Sequence, residues 1–366
     1  MGGAAFRMFF GARAASAEEL ARVEEVTVEQ EIDMAWEGRV RMSMCLGDDG
    51  RWADPPSSLT APFGRMRIEL KLGSGDFVPL IDGPVAAFDT ALGANPGTST
   101  VSLVIRDDSV LMNREEETEI FEDREHSNIA EEIFTRFTSV ADTRVSATGE
   151  QEAVTVRRGT PIQFLREMAR VHNFKAYVLP GEAAGTSTGV FEALRTEPSG
   201  LPPLVLMGPN RSLQSVSFRE ESNSAERSRG RSLSISDQQI VPAQHSFQDQ
   251  NLMGGLPALS DDPGALRELP PEENTGDTPD AATAGQANRA SYGHSMSAEL
   301  MPGCYDTVLR PYEVIQVQAG DIPESGDWLL HKVTHRFNAS VYRQEIEAKR
   351  NSRSAIGGGP TLPGIF

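Results

Sequence analysis

Apolar and polar residues alternate with a period of two in the first third of the chain. Val40, Met42 and Met44 alternate with Arg39, Arg41 and Ser43, and Met66, Ile68, Leu70 and Leu72 alternate more strictly with Arg65, Arg67, Glu69 and Lys71. In a strand, that spacing sends one set to a core and the other to solvent. Residues 77–81, 85–88 and 100–106 continue the pattern, with turn-formers Asp82-Gly83-Pro84 and Asn95-Pro96-Gly97 between them. One short helix precedes them. Ser16-Ala17-Glu18-Glu19 spells a capping box and predicts a helix through about Glu25. Five or six short strands with polar turns predict an antiparallel barrel or sandwich.

The period changes in the middle. Ile129, Ile133, Phe134 and Phe137 share one face of a helix that Ser127 is placed to cap. Thr160-Pro161-Ile162-Gln163 combines a capping box with proline at the first helical position. Ile162, Leu165, Met168 and Ala169 form that helix's apolar face, and Asn173 is its expected C-terminal stop. A strand over 174–179 ends at Pro180-Gly181, which makes 119–180 a small α+β unit.

Strand patterns return over 190–194, 204–207 and 213–218, and again over 312–317, 328–334 and 341–349. Between them, no valine or isoleucine lies between Val241 and Val308, and no aromatic residue lies between Phe247 and Tyr292. Residues 254–290 contain five prolines and seven acids against two arginines. Such a stretch buries too little apolar surface to offset its ordering entropy, so it is expected to be a mobile loop or to order on a partner. The tail from 351 to 366, with glycines at 357–359, is expected to be flexible.

Three units follow from this order: a first β-barrel over 1–118, an α+β unit over 119–185, and a second β-barrel over 186–350 with a loop at about 242–300. The expected fold class is mainly β, two tube-like antiparallel barrels flanking a small α+β insert.

Composition narrows the function. The 366 residues carry 34 Lys+Arg against 53 Asp+Glu, a formal charge of −19. A surface this acidic repels phosphate backbones and anionic lipid, so specific nucleic-acid binding is not expected. No stretch reaches the apolar length of a membrane span, so no membrane insertion is expected, and no cleavable signal is evident. The chain reads as soluble and cytoplasmic when made. The two cysteines, Cys45 and Cys304, cannot build a zinc site or a disulfide framework and read as ordinary thiols.

No constellation of residues rises to an active site. His331 and His335 are spaced four apart, but on a strand that separates them by roughly 13 Å, too far for one metal. Asp89-Thr90-Ala91 lacks the glycine of an aspartic-protease turn and has no second copy. Carboxylate pairs drawn from Glu115, Glu116, Glu117 and Glu119, or from Asp107 and Asp108, read as solvated acidic turns. The acidic run lacks the pattern of an EF-hand, and no phosphate-cradling Gly-Lys-Ser/Thr loop or Gly-x-Ser-x-Gly elbow occurs. No catalytic, cofactor-binding or metal-binding residue is assigned, and no cofactor is expected.

Four stretches, in order, resemble the phage late-control protein D and baseplate-hub family, which also supplies the hub portion of VgrG spikes. They are Pro79-Leu-Ile-Asp-Gly-Pro-Val85, followed by Thr100–Arg106 and Asp107-Asp-Ser-Val-Leu-Met112; Ile120-Phe-Glu-Asp123 through Ser127-Asn-Ile-Ala130; Gln163-Phe-Leu-Arg-Glu-Met-Ala-Arg170 with residues 174–178; and Asp327-Trp-Leu-Leu-His-Lys-Val-Thr-His335 with Tyr342 and Arg350. The matches cover roughly 20–180 and 300–350.

The resemblance implies two barrels flanking an α+β insert. It also implies a homotrimer whose six barrels form a pseudo-sixfold ring, a symmetry adaptor between a hexameric inner tube and a trimeric spike. The partners implied are tube, spike and baseplate wedge proteins of a contractile tail, tailocin or injection particle. The chain carries no spike repeats after its last barrel strand, so the spike is expected to be a separate protein. Two alternatives from other classes are a baseplate-associated cell-wall hydrolase using an Asp/Glu pair and a stand-alone binding module with a disordered acidic arm. Five of the nineteen excess negative charges fall in 254–290, seven acids minus two arginines. The remainder suits a channel wall that does not hold a passing polyanion.

Overall fold

The computed structural model describes residues 4–44, 50, 63–95, 97–149, 151–221, 226–233, 238–249, 251–257, 264–269 and 279–353. Cys45, Pro96, the tail beyond 353 with its glycines, and 258–263 and 270–278 of the proline-rich stretch lie outside them.

One thirteen-stranded sheet dominates. Its main path runs Leu213–Glu220, His294–Leu300, Tyr342–Arg350, Gly326–Phe337, Val23–Glu31, Glu37–Ser43, Thr100–Arg106, Val78–Ala91, Arg65–Leu72, Ala4–Phe10 and Arg13–Ala14. The short strands Leu204–Val205 and Val314–Gln318 attach beside Gly326–Phe337. The fold is mainly β, with an α+β insert, as the patterning predicts.

The sheet curls into two halves that share a seam. Lys332 through Phe337 pair antiparallel with Glu31 through Val26, so the last long strand of the chain lies beside its first long one. Each half keeps an apolar core. Met42, Ile68, Leu70 and Leu103 belong to the first, while Met296, Trp328, Leu330 and Ile346 belong to the second. The two barrel-like β units are the two curled parts of this sheet, continuous with each other through the seam.

The insert has its own core around Phe134, Phe164, Leu165 and Phe191. A ribbon of Glu117–Glu125 and Gln151–Gly159 and a three-stranded sheet of Phe174–Pro180, Ser187–Ala193 and Val140–Val145 enclose helices His126–Thr135 and Pro161–Val171. The strand expected over 190–194 at the start of the second β unit thus pairs within the insert.

Local chemistry explains several departures. The Ser16 capping box forms in both directions, but its helix spans only Ala17–Ala21. Val23, Val26 and Val28 then favour a strand, which runs Val23–Glu31 where the capping signal predicted helix. Ser127 is not the cap of its helix. Glu125 holds that position, and the Ser127 hydroxyl donates to the Glu125 carboxylate at 3.0 Å. The Thr160 N–H donates to Gln163 Oε1 at 3.3 Å, and Asn173 sits at φ 57° just past the helix, where an asparagine tolerates the left-handed turn.

Asp82-Gly83-Pro84 is not a turn but the middle of a fourteen-residue strand, Val78–Ala91. Its first half pairs with Arg65–Leu72 and its second half with Thr100–Arg106. Where the strand changes partners, a Cβ at position 83 would stand 1.8 Å from the Arg106 carbonyl oxygen. Only glycine fits there.

The proline-rich stretch is partly ordered, against expectation. Residues Pro279–Ser291 form a helix, and Glu226–Leu233 forms an unpredicted strand between Ile240–Ser246 and Ala265–Glu268. Small residues replace β-branched ones in this packing. A Cβ on Gly285 would stand 2.9 Å from the Arg170 carbonyl oxygen, so the helix lies tight against the end of Pro161–Val171.

Candidate functional site

One face of the great sheet is polar across both halves. Cross-strand pairing aligns Ser217, Ser297, Glu347, Lys332 and Glu31 in one row. The next row runs Glu299, Glu345, Thr334, Glu29, Glu37 and Arg106, and a third carries Arg343, Arg336, Thr27 and Arg39. The face passes over the seam without interruption.

Three like-charge pairs sit directly opposite one another: Glu29 with Glu37, Glu299 with Glu345, and Arg336 with Arg343. Such pairs are destabilising unless diagonal neighbours neutralise them. Here they do. Lys332 reaches Glu29 at 3.1 Å and Glu31 at 3.8 Å, Arg106 reaches Glu37 at 2.5 Å, and Arg343 reaches Glu299 at 3.8 Å. Arg336 lies 3.9 Å from Glu25 and 3.8 Å from Glu345. The hydrogen bond that Lys332 donates to Glu29 raises the Lys332 pKa. Acids and bases nearly balance on this face, so the acid excess of the chain is carried elsewhere.

A bulge at His331 in the strand Gly326–Phe337 shapes part of this face. It turns His331 toward Glu31, 3.9 Å away, while His335 is fully buried with its Nδ1 2.9 Å from the Tyr342 hydroxyl. The two histidines therefore serve different surroundings. Burial, helped by Lys349, lowers the His331 pKa to about 4, and burial lowers His335 to about 3. A cavity of about 190 Å³ opens beside His331, lined by Ser217, Ser295, Ser297, Arg219, Glu347 and Lys349 among others.

A second charged cluster is buried and ties the first half of the sheet to the insert. Alternation assigned Arg65, Arg67 and Glu69 to solvent, yet Arg67 and Glu69 are each only 3% exposed. Arg65 makes a bidentate pair with Asp108 at 2.8 and 2.9 Å and a third bond to Asp82 at 2.8 Å. Arg67 binds Glu69 at 2.6 Å and Asp82 at 3.2 Å, and donates to the carbonyls of Gly181 at 2.7 Å and Ala183 at 3.1 Å. Arg7 also pairs with Glu69. From the insert, the Gly185 N–H donates to Asp82 at 2.9 Å and the Ser187 hydroxyl donates to Asp108 at 2.5 Å.

Both faces of the strand Arg65–Leu72 are thus covered, one by the core and the other by the 181–187 loop. Burial outweighs pairing at Asp82 and raises its pKa, while for Arg65 the carboxylates overcome burial and its pKa rises. The Asp107–Asp108 pair is likewise no solvated turn. Asp107 accepts from the Trp36 N–H at 2.6 Å and the Ser109 N–H at 2.9 Å, and burial pushes it up to about 6. The sequence signal for this clamp was charge of both signs at successive outward positions of one strand, a pattern that reads equally well as a solvated face.

The other candidates stay apart. Glu115, Glu116 and Glu117 are exposed, Glu119 pairs with Arg136 at 2.7 Å, and Asp89 lies on the exposed end of its strand. Cys304 is exposed and lines a cavity of about 360 Å³ with Tyr305, Met207 and three prolines. Among the described residues, no group of three or more His, Cys, Asp or Glu side chains is placed to hold a metal ion, and no helix is long and apolar enough to cross a membrane.

Solved structures share this arrangement over almost the whole chain. A tail protein from Neisseria meningitidis MC58 superposes with a TM-score of 0.63 at 12% identity, covering 95% of this chain and 97% of that one. The 43 kDa tail protein of prophage MuSo2 from Shewanella oneidensis gives 0.66 at 11% identity, over 95% and 99%. The fold is that of phage tail proteins. An E. coli component of the type VI secretion system, described as similar to the T4 tail proteins gp27 and gp5, matches at 0.54 and 11% identity over 93% of this chain and 78% of that one. No family model matches the sequence, and no curated protein does. At these identities the tail-protein likeness lives in the backbone.

Proposed function

We propose that this tail-fold chain is a structural baseplate hub, a homotrimeric adaptor between a hexameric inner tube and a trimeric spike. The observation that carries this reading is the seam. Because Gly326–Phe337 and Val23–Glu31 share one ladder, a single chain presents two curled halves and one continuous polar face. Three chains in a closed ring would present six such halves toward a sixfold tube and three chain-length repeats toward a threefold spike. A symmetry mismatch is then met inside one polypeptide.

The charge pattern supports the same role. In the ring, the polar face lines the channel. Its acids and bases are engaged with one another, so it offers a sliding polymer neither a basic track nor a strongly repelling wall. Two of the carboxylates a hydrolase could draw on are engaged in structural pairs, Asp108 with Arg65 and Glu119 with Arg136. The role is scaffolding, without catalysis, in a tail-like particle built with tube, spike and baseplate wedge proteins.

Light scattering on the purified chain, alone and with its tube and spike proteins, tests this. Three copies per assembly are expected. A chain that stays monomeric in every mixture contradicts the reading.

A further inference from the structure

The two halves of the great sheet repeat one another strand for strand. In chain order, Val23–Glu31, Glu37–Ser43, Arg65–Leu72, Val78–Ala91 and Thr100–Arg106 correspond to Leu213–Glu220, His294–Leu300, Val314–Gln318, Gly326–Phe337 and Tyr342–Arg350, and both sets pair in the same spatial order. Their irregularities match as well. The ladders skip Glu24 and Gln214 in the first strand of each half, and Ala86 and His331 in the fourth.

The correspondence brings out one difference. Gly326–Phe337 keeps Tyr342–Arg350 along one edge. Its other edge pairs first with Val314–Gln318 and then, past the bulge, with Val23–Glu31 across the seam. Val78–Ala91 is built the same way as far as Val85, which faces Ile105 on one side and donates its N–H to the Gly64 carbonyl on the other, at 2.6 Å. Past Ala86 only the side of Thr100–Arg106 is filled. Among the described residues, no strand pairs with the other edge of 87–91, nor with the outer edge of Leu213–Glu220, the counterpart of Val23–Glu31. A free strand edge is a template for another chain.

We propose that these two free edges join between copies: residues 87–92 of one copy pair antiparallel with 216–221 of the next, repeating the in-chain seam and closing the ring. The seam supplies the register. Lys332 through Phe337 lie opposite Glu31 through Val26, so their counterparts, Ala87 through Leu92, fall opposite Glu221 through Val216 of the next copy. Charge played no part in that transfer, yet it sets Asp89 directly against Arg219. Both lie on the polar face, Asp89 in line with Ser102 and Arg41, and Arg219 in line with Ser295 and Lys349. Both are exposed, Arg219 with 75% of its side chain accessible. On the opposite face, Leu92 (58% exposed) meets Val216, and Phe88 (41% exposed) lies diagonal to Phe218. Val216 and Phe218 are themselves half-buried at the margin of the second core. Heterologous edges at the two ends of one sheet can close a ring, and the polar face then runs on from copy to copy. The proposal rests on the trimer reading and names the strands that close it.

Cross-linking tests the register. In the full chain carrying Cys45→Ser and Cys304→Ser, Asp89→Cys with Arg219→Cys is expected to give covalent species up to the trimer on a non-reducing gel after mild oxidation. Thr90→Cys with Arg219→Cys places the two thiols on opposite faces and should cross-link far less. Independently, Asp89→Arg is expected to weaken self-association by about tenfold, and adding Arg219→Glu should restore it. Circular dichroism checks that each variant folds, and the cysteine pairs, all at exposed or half-exposed positions, carry the test if charge reversal perturbs folding. A trimer that tolerates Asp89→Arg, and in which both cysteine pairs cross-link alike or neither does, overturns the joint and leaves the trimer standing. A parent chain that never trimerises, alone or with its tube and spike proteins, removes both.

Discussion

The rings of Tyr177 and Tyr312 stack face to face, with centroids 3.7 Å apart and planes 5° from parallel. Tyr177 belongs to the insert's sheet, while Tyr312 precedes the strand Val314–Gln318 of the second half. Tyr312 holds φ at 69°, a left-handed conformation costly for a bulky residue, and its hydroxyl accepts the Asp33 N–H at 3.3 Å. One buried ring therefore joins the second half, the insert and the turn after the first long strand. Tyr312→Ala is expected to cost about 4 kcal/mol through the cavity it leaves. Tyr312→Phe should cost only about 1 kcal/mol, the worth of one hydrogen bond. Urea denaturation of the two variants measures both, and equal losses would count against the stacking account.

The Arg65–Asp108 pair is largely buried, with the Asp108 side chain 1% exposed and that of Arg65 19%. Asp108→Ala strips Arg65 of its bidentate carboxylate and should lower stability by about 3 kcal/mol. Glu299→Ala removes a pair in the exposed polar face and should cost under about 1 kcal/mol. Chemical denaturation of both decides whether the buried cluster, rather than the surface pairs, holds the sheet to the insert.

Gly83 admits no side chain. Gly83→Ala drives a methyl into the Arg106 carbonyl and is expected to cost about 3 kcal/mol, since the obstacle is backbone and the strand must shift. Gly97→Ala, at φ 77° with open space around it, should cost less, through its backbone conformation alone. A Gly83→Ala variant as stable as the parent would refute the partner change at that point of the strand.

Acid acts on the buried histidines and on Asp107 in opposite directions. Burial, with His172 beside it, lowers His126 to about 4, while His331 is lowered to about 4 and His335 to about 3. Between the ordinary histidine pKa near 6.5 and those values, the unfolded chain takes up protons that the folded chain does not, so stability falls as pH drops through that window. Asp107, raised to about 6, keeps its proton in the folded chain where the unfolded chain has lost it. Its stabilising contribution is present at low pH and is lost as pH rises from about 3.8 to 6. The drop contributed by the three histidines falls between pH 6.5 and 4, with Asp107 and the likewise raised Asp82, Glu313 and Asp327 acting against it. His335→Gln should flatten that drop and Asp107→Asn should steepen it, as read from denaturation at a series of pH values.

Much of the architecture was legible in local patterns. The alternation of Met66, Ile68, Leu70 and Leu72 marked a strand, and Thr160-Pro161-Ile162-Gln163 marked a helix start, because both depend on near neighbours. The seam was not legible. Nothing in Lys332 or Glu31 announces that strands three hundred residues apart in sequence pair with each other, since cross-strand complementarity is not written at any fixed spacing. Arg67 misled for a related reason. A strand face reads as solvent-facing when it is charged, and only the loop carbonyls of Gly181 and Ala183, far away in sequence, turn that face into an interior. The helix Pro279–Ser291 was hidden because alanine, glycine and threonine pack closely without the bulky residues that signal a core.

The central claim is that three copies of this chain form a ring between tube and spike with the Lys332 and Glu37 face inward. An electron cryo-microscopy reconstruction of the particle containing this chain tests it most directly. The account predicts three copies at the junction, six curled sheet halves around one channel, and Lys332, Glu29, Glu37 and Arg106 on its wall. A particle in which the chain lies at the periphery, or in which that face is turned outward, would contradict it.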